Sequence, residues 1–311
     1  MISFQAVSKR YGAHQALREV TFHQPRGQVL GLLGRNGAGK STAMNILCGC
    51  LAPSSGAVTV GGRDVLLNPR QAKRLIGYLP EQAPLYDEMT VEKYLEFACR
   101  LKEVEKAAIP VHVGQVMEKT GLDSVSGRKI GNLSRGYRQR VGMAQALCGT
   151  PEVLILDEPT AGLDPLQSSE MRALIRQLAG EHTIMLSSHI LSEVQQICGR
   201  VIILNRGRIV CDRDLQAKTE EKPPLRALIA CGEQALLPAL RTMKTAGDIR
   251  VERGGEAGLT QVVLTPAERG ETERELFALL SQRGWPLLRL TPVEDSLEDI
   301  FLRAAAEAEE E

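Results

Sequence analysis

Long apolar runs are missing from this 311-residue sequence. None approaches the ~18 consecutive apolar residues that a membrane-spanning helix needs, so we expect no such helix. The chain begins Met-Ile-Ser-Phe-Gln-Ala-Val-Ser-Lys, without a basic leader followed by an apolar stretch, and we therefore expect no signal peptide. These features predict a cytoplasmic protein.

An excess of charge of either sign is missing as well. The 38 Lys and Arg residues balance the 38 Asp and Glu residues, which gives a formal net charge of zero. A balanced chain has no global field that would draw it onto DNA or an anionic membrane. We therefore expect no nucleic-acid partner.

The seven cysteines lack the spacing of a disulfide framework, and their number is odd. Four of them lie in apolar, helix-like contexts: Cys48, Cys99, Cys148 and Cys198. We expect reduced cysteines of a cytosolic protein. The pair Cys48 and Cys50 lacks the C-x₂-C spacing and the second ligand pair of a zinc site.

Short apolar runs alternate with helical patterns over the first part of the chain. Residues 29–33 form a near-continuous apolar run that suits a strand buried on both faces. Similar runs follow at 153–156, 183–187 and 201–204, and residues 90–148 are mostly helical by pattern. The alternation predicts an α/β fold with a largely parallel sheet.

A charged run closed by two prolines, Ala-Lys-Thr-Glu-Glu-Lys-Pro-Pro, indicates a linker at 217–224. Beyond it, the pattern predicts β-α-β-β-α-β over 225–291, the order of a ferredoxin-like domain, and then a helix at 294–304. The predicted organisation is a first domain, the linker, a small α+β domain and an acidic tail, at 1–216, 217–224, 225–304 and 305–311.

A glycine-rich loop follows the first buried strand. Residues 34–42 contain G-x-x-x-x-G-K-S and open a helical stretch at 41–50. Glycines let successive N–H groups point at phosphate oxygens, and the helix N-terminus adds partial positive charge. Lys40 would reach the β- and γ-phosphates, and the Ser41 hydroxyl would hold Mg²⁺. The predicted nucleotide-binding residues here are Gly34, Asn36, Gly37, Gly39, Lys40, Ser41 and Thr42.

Two carboxylates, Asp157 and Glu158, follow the apolar strand at 153–156. The carboxyl edge of a parallel sheet is where ligands bind. Asp157 is placed to hold Mg²⁺, directly or through water, and Glu158 can polarise an attacking water as a general base. An acidic pair alone is also compatible with a solvated strand end, but the phosphate loop favours the catalytic interpretation.

The segment Leu133-Ser-Arg-Gly-Tyr-Arg-Gln-Arg140 lies shortly before the acidic pair. Together with the phosphate loop, it makes residues 1–215 resemble the ABC ATPases. The family order is also matched by Tyr11, Gln82, Gly162-Leu-Asp164 and His189. The resemblance implies a P-loop NTPase cassette with a helical signature subdomain at about 84–150, and ATP and Mg²⁺ as cofactors. The small C-terminal α+β domain lies beyond the resemblance and is predicted from the pattern alone.

In that family, two subunits sandwich two ATP molecules head to tail. By resemblance, Tyr11 would stack on adenine. Ser134 and Gly136 would contact the γ-phosphate bound by the opposite subunit, and Asp164 would communicate across the dimer.

Two more catalytic residues follow from the same resemblance: Gln82 would contact Mg²⁺ or the lytic water, and His189 would hold the γ-phosphate. The signature departs from the family's usual Leu-Ser-Gly-Gly-Gln at Arg135 and Tyr137. A side chain at 135 must point away from the nucleotide or place its own positive charge near it. The departure also puts the contact of Tyr137 with the partner's site in doubt.

Three segments resemble the single-cassette ATPases of ABC-2-type exporters: the loop at 78–86, the signature variant, and Ser296-Leu-Glu-Asp-Ile-Phe301. The resemblance implies an exporter subunit on the inner face of the cell membrane, held there by separate permease subunits. It would act as a homodimer or pair with a related ATPase. Leu85, Tyr86 and Met89 either fold into the local core or form a groove for a short helix of the permease.

The main alternative is a non-transport ABC ATPase that acts on nucleic acid or ribosomes. Residues 43–132 lack the sustained heptads of a coiled-coil insertion, and the chain has one cassette rather than two. A module that holds ATP without hydrolysing it is a third class, which the intact Glu158 and His189 disfavour. Residues 225–304 form either a regulatory ligand-binding domain or a dimerisation and stability module.

Overall fold

A computed structural model describes residues 1–215, 224–252 and 258–293. These residues belong to two compact units that divide after Gln216. The predicted helix at 294–304, the tail at 305–311 and the 296–301 motif lie outside the described residues, as does nearly all of the predicted linker.

The first unit is a mixed α/β structure. Its described strands are β1 (Ile2–Tyr11), β2 (His14–Gln24), β3 (Val29–Leu33), β4 (Ser55–Val60), β5 (Arg63–Asp64), β6 (Ile76–Leu79), β7 (Val153–Leu156), β8 (Thr183–Ser188), β9 (Arg200–Asn205) and β10 (Arg208–Asp214). Its described helices are α1 (Lys40–Leu47), α2 (Pro69–Leu75), α3 (Val91–Leu101), α4 (Ile109–Thr120), α5 (Arg135–Leu147), α6 (Pro165–Leu178) and α7 (Leu191–Ile197).

A six-stranded sheet forms the centre of this unit, in the order β10-β9-β3-β8-β7-β6. Neighbouring strands from β9 to β6 pair in parallel, and β10 pairs antiparallel with β9. Every residue of β3, β7 and β8 is buried, which confirms the prediction of doubly covered parallel strands. The carboxyl ends of five strands therefore meet at one edge of the sheet.

A second, antiparallel sheet has the order β2-β1-β4-β5. A cluster of buried side chains joins both sheets to α1 and includes Phe4, Leu32 and Met44. Phe4 also stacks on Phe22 with ring centroids 4.5 Å apart. This core fixes α1, and hence the loop before it, against the carboxyl edge of β3.

Helices α3, α4 and α5 form a helical layer beside the central sheet. Thr90 caps α3, because its hydroxyl accepts a hydrogen bond from the Lys93 N–H at 3.4 Å. Val91, Tyr94, Leu95 and Ala98 are buried on one face of α3, as the helical periodicity predicts. Helix α5 runs from the signature segment to the C-cap that precedes β7, so it connects that segment physically to the sheet.

Strand β6 approaches α5 so closely at Gly77 that a Cβ there would overlap the carbonyl oxygen of Ala146. Because that oxygen belongs to the backbone, relief requires a shift of the strand or the helix. We expect Gly77→Ala to lower the free energy of unfolding by about 2–3 kcal/mol, measured by urea denaturation. As the matched control, Gly114→Ala in α4 meets open space and should raise stability by up to ~1 kcal/mol. A neutral Gly77→Ala variant would contradict this packing.

The second unit contains β11 (Leu225–Ile229), α8 (Glu233–Leu240), β12 (Ala246–Glu252), β13 (Thr260–Pro266), α9 (Arg269–Arg283) and β14 (Leu287–Pro292). Its antiparallel sheet has the order β12-β13-β11-β14, which is the predicted ferredoxin-like β-α-β-β-α-β arrangement. Leu225, Ala227 and Ile229 point to one buried face because side chains alternate along a strand. They pack in one core with Leu236 of α8 and Leu276 of α9.

Within the described ranges, no helix has the length and apolar character needed to cross a bilayer. All seven cysteines lie in those ranges and are free.

Candidate nucleotide site

The glycine-rich loop connects β3 to α1 at the carboxyl edge of the central sheet. Gly39, immediately before the helix, adopts φ 107°, and a Cβ there would lie 2.6 Å from the Ala16 carbonyl oxygen. Gly37 also has positive φ, at 82°. Only glycine tolerates both the backbone conformation and the contact at position 39. The loop is therefore held tightly against β2 while its outer turn stays open.

Lys40 lies across the mouth of this loop. The residue is 7% exposed, and its Nζ donates to the carbonyl oxygens of Gly34 at 2.7 Å and Arg35 at 3.4 Å. Ser41 is exposed and Thr42 half-buried in the first turn of α1. The loop thus presents a fixed cation and a hydroxyl at a helix N-terminus, which is an arrangement that binds phosphate.

The two carboxylates leave β7 at the same edge and are almost fully buried, with Asp157 5% and Glu158 9% exposed. The Asp157 N–H donates to the carbonyl oxygen of Leu79 at 2.8 Å. The Ser187 hydroxyl donates to Asp157 Oδ1 at 2.6 Å, and the Glu158 N–H donates to the same hydroxyl oxygen at 2.9 Å. Ser187 therefore orients both acidic residues. The sequence pattern did not single out Ser187 for this role.

Glu158 adopts a left-handed backbone conformation, φ 49°, which non-glycine residues rarely take. Its Oε2 lies 2.9 Å from Nδ1 of His189, whose side chain is 57% exposed while that of Glu158 is 11% exposed. In this contact the Nδ1–H of His189 donates and the carboxylate oxygen accepts. The pair combines a buried carboxylate with a more exposed imidazole.

Strand register brings these groups to one place. Strand β8 lies between β3 and β7, and Ser188 pairs with Leu33 while Leu186 pairs with Leu156. The phosphate loop, the acidic pair and His189 therefore follow three neighbouring strand ends. Gln82 is exposed three residues beyond the end of β6, the next strand along the same edge.

The hydroxyl of Tyr78, on β6, lies 3.5 Å from Oδ1 of Asn45. Burial raises the pKa of this hydroxyl, and the nearby Cys48 thiol and Asp157 carboxylate raise it further. Tyr78 therefore stays protonated and donates to Asn45, so it is not a competing base beside the carboxylates.

The signature residues lie at the start of α5. Ser134 caps the helix, because its hydroxyl accepts from the Tyr137 N–H at 3.5 Å. Arg135 Nη2 donates to the Ala161 carbonyl oxygen at 3.0 Å, and a Cβ on Gly136 would lie 2.6 Å from Cδ of Gln167. The Arg135 side chain thus points toward the segment that precedes α6. Within residues 1–215, these contacts go to the segment before and at the start of α6, not to the phosphate loop.

Two further predicted residues sit at element ends. Asp164 caps α6 by accepting from the Gln167 N–H at 2.8 Å. Tyr11 ends β1, is 48% exposed, and has Lys9 Nζ 5.3 Å from its ring centroid. Both have the exposure that a contact with nucleotide or a second subunit requires.

The described residues contain no group of three or more His, Cys, Asp or Glu side chains arranged to hold a metal. The predicted Mg²⁺ ligands, Ser41, Gln82 and Asp157, are all oxygen donors. Mg²⁺ prefers such donors and usually takes its remaining ligands from water and substrate phosphates. These three residues therefore fit Mg²⁺ that is bound together with a nucleotide, whose phosphates complete its set of ligands.

Comparison with known proteins identifies the family. The family model described as "ABC transporter" matches residues 17–161. The bacitracin transport ATP-binding protein BcrA of Bacillus licheniformis is 32% identical over 300 residues, which cover 96% of this chain and 94% of BcrA. This chain belongs to the ABC transporter ATP-binding family. The ABC cassette is also 36% identical over 215 residues to the lantibiotic transport ATP-binding protein SrtF of Streptococcus pyogenes, covering 69% of this chain and 91% of SrtF.

A solved structure described as an ATP binding subunit of an ABC transporter shares the fold of this ABC cassette. The TM-score is 0.64 at 30% identity, over 69% of this chain and 90% of that one. The cassette fold and the ATP-hydrolysing, transport-coupled function are therefore confirmed. The alternative of a nucleic-acid or ribosome ATPase is not supported. The roles of individual residues stay predictions.

Proposed function

We propose that this ABC cassette closes as a head-to-tail dimer around two Mg-ATP molecules and so drives an export permease. The observation that carries the proposal is the buried Glu158 carboxylate, aligned by His189 Nδ1 at 2.9 Å beside the phosphate loop. A base held in place before substrate arrives is what phosphoryl transfer to water needs.

In this mechanism the phosphate loop and Lys40 hold the β- and γ-phosphates. Glu158 takes a proton from the water that attacks the γ-phosphorus, the bond to the β-phosphate oxygen breaks, and ADP leaves. The imidazole of His189, whose side chain is 57% exposed, would hold the γ-phosphate. Bound Mg²⁺, held by Ser41, Asp157 and Gln82, would supply charge neutralisation between the phosphates. Tyr11 would stack on adenine.

The second half of each site comes from the other subunit. Ser134 is exposed at the N-cap of α5 and would meet the partner's γ-phosphate, together with the backbone N–H of Gly136 in the first turn of that helix. Asp164, exposed at the cap of α6, would lie close to the dimer axis. This proposal accommodates a homodimer and a pair with a related ATPase equally.

The permease would dock at the loop between β6 and α3. Tyr86 there is 54% exposed and packs edge-on against Tyr94 with ring centroids 5.9 Å apart. Arg138 of α5 also bonds the neighbouring Asp87 at 2.6 Å. The loop is thus rigidly attached to the helical layer, so that dimer closure would move it and the permease helix upon it. Such docking places the cassette at the inner face of the membrane.

Export, rather than import, is supported by the ABC-2-type segments of the sequence. The names of two relatives refer to bacitracin transport and to lantibiotic transport. BcrA is matched along nearly its whole length, including the second unit. The substrate itself would be selected by the permease.

The test is the mass of the Glu158→Gln protein in solution. Without a base, ATP binds but is not consumed, so we expect Mg-ATP to convert monomer into dimer and Mg-ADP to leave monomer. Glu152→Gln, at the other end of β7, is the matched control and should not accumulate dimer. Demonstrated ATP binding without dimer formation would overturn the closure mechanism.

A further inference from the structure

The side chain of Arg135, the first residue of α5, contacts the turn that follows Glu158. Its Nη2 donates to the Ala161 carbonyl oxygen at 3.0 Å, and the Ala161 N–H donates to the Glu158 carbonyl oxygen at 3.0 Å. Both hydrogen bonds are made by Ala161: its carbonyl oxygen accepts from Arg135, and its N–H donates to Glu158. The guanidinium also covers Gly162, which has φ 68° and where any Cβ would overlap it.

Two other residues of α5, Gly136 and Gln139, add contacts between this helix and the chain around Ala161. Gly136 allows α5 to approach Gln167, since a Cβ at Gly136 would lie 2.6 Å from Cδ of that side chain. The buried Gln139 Nε2 donates to the Pro159 carbonyl oxygen at 3.1 Å. Helix α5 therefore contacts the chain on both sides of Ala161.

The position of Arg135 in the sequence connects this contact to the second subunit of the proposed dimer. Arg135 stands between Ser134 and Gly136, which face the partner's nucleotide in the proposed dimer. The Arg135 side chain, by contrast, points to the turn that follows Glu158 in the same subunit. With the family's usual glycine at this position, no side chain would span that distance.

We propose that Arg135 is a positioning residue that couples the two ATP sites of the dimer. When Ser134 and Gly136 engage the γ-phosphate held by the partner, the start of α5 is fixed, and Arg135 fixes the turn behind Glu158 in the same subunit. Each subunit thereby becomes hydrolytically competent only when its partner holds ATP. This inference rests on the head-to-tail dimer proposed above.

The experiment compares Arg135→Met with Arg135→Lys. Both keep an unbranched stem over Gly162, but only lysine keeps a donor for the Ala161 oxygen. ATP turnover is measured against ATP concentration, and ATP affinity is measured with a fluorescent ATP analogue. We expect the unmodified protein to show a Hill coefficient approaching two, the number of sites. Arg135→Met should show a coefficient near one and a several-fold lower kcat, with unchanged affinity, and Arg135→Lys should recover most of both.

Arg140→Ala is the control on the same helix, because Arg140 also bonds α6, through Glu170 at 2.6 Å, but does not contact Ala161. It should keep the cooperative kinetics. An equal loss of cooperativity in Arg140→Ala, or unaltered kinetics in Arg135→Met, would overturn the coupling role. If Glu158→Gln forms an ATP-dependent dimer while Arg135→Met remains cooperative, only this inference fails. If no dimer forms, the proposed function fails with it.

Discussion

Replacing Glu158 by glutamine should lower ATP turnover by about 10²–10⁴-fold, the contribution typical of a positioned general base. The amide matches the carboxylate in shape but cannot accept the proton of the attacking water. The residue is buried and held by His189 at 2.9 Å and by its N–H bond to the Ser187 hydroxyl, so no neighbouring group replaces it without rearrangement. Phosphate release at saturating Mg-ATP is the measurement.

Nucleotide binding should survive this change, because the phosphate loop is untouched. Glu152→Gln serves as the control: it alters a carboxylate just before β7, at the opposite edge of the sheet, where Glu152 only pairs with the exposed Arg26. Turnover in this control should equal that of the unmodified protein. Near-normal turnover in Glu158→Gln would mean that the base is another group, and His189 would be the next to test.

The second large effect is expected at Lys40, where alanine should weaken ATP binding by about 2–4 kcal/mol, or about 30- to 1,000-fold. The ammonium group is almost fully buried and held at the mouth of the loop by Gly34 and Arg35. Its loss leaves phosphate charge uncompensated there. Thermal unfolding with and without Mg-ATP measures this, because ligand at 100 times its Kd adds about 2.7 kcal/mol of stability.

Lys119→Ala is the matched control for Lys40. Lys119 pairs with Glu181 on the surface, so its removal should leave the stabilisation by Mg-ATP intact. Equal stabilisation of Lys40→Ala and Lys119→Ala would show that the phosphate-binding role has been placed on the wrong residue.

Local sequence determined much of the fold. The apolar runs of β3, β7, β8 and β9 identify buried parallel strands because each strand is covered on both faces. The second unit was predictable for a related reason, since alternation along β11 follows directly from one buried face. The elements that the sequence pattern did not predict include α2, β6 and β10. Two of these are short, and β10 alternates around half-buried residues, so their patterns carry little signal.

Some parts of the nucleotide site were likewise predictable from the sequence, and others were not. The phosphate loop, the acidic pair and the signature are contiguous segments, and their chemistry is visible in the sequence itself. The Ser187 bonds to the acidic pair and the contact of Glu158 with His189 join residues about 30 positions apart. The register of β7 against β8 creates these contacts. The sequence pattern of one segment does not show which other segment packs beside it.

By itself, the sequence determined the family, and it predicted a loop that binds phosphate, a carboxylate that holds Mg²⁺ and a general base. The tertiary structure decided where Arg135 points. The alternatives for that side chain were equally open in the sequence, because rotamer preference does not choose between a nucleotide and a distant loop. Packing of α5 against the turn at Ala161 and Gly162 made the choice, because the Ala161 carbonyl oxygen accepts a hydrogen bond there and Gly162, which lacks a Cβ, leaves room for the guanidinium.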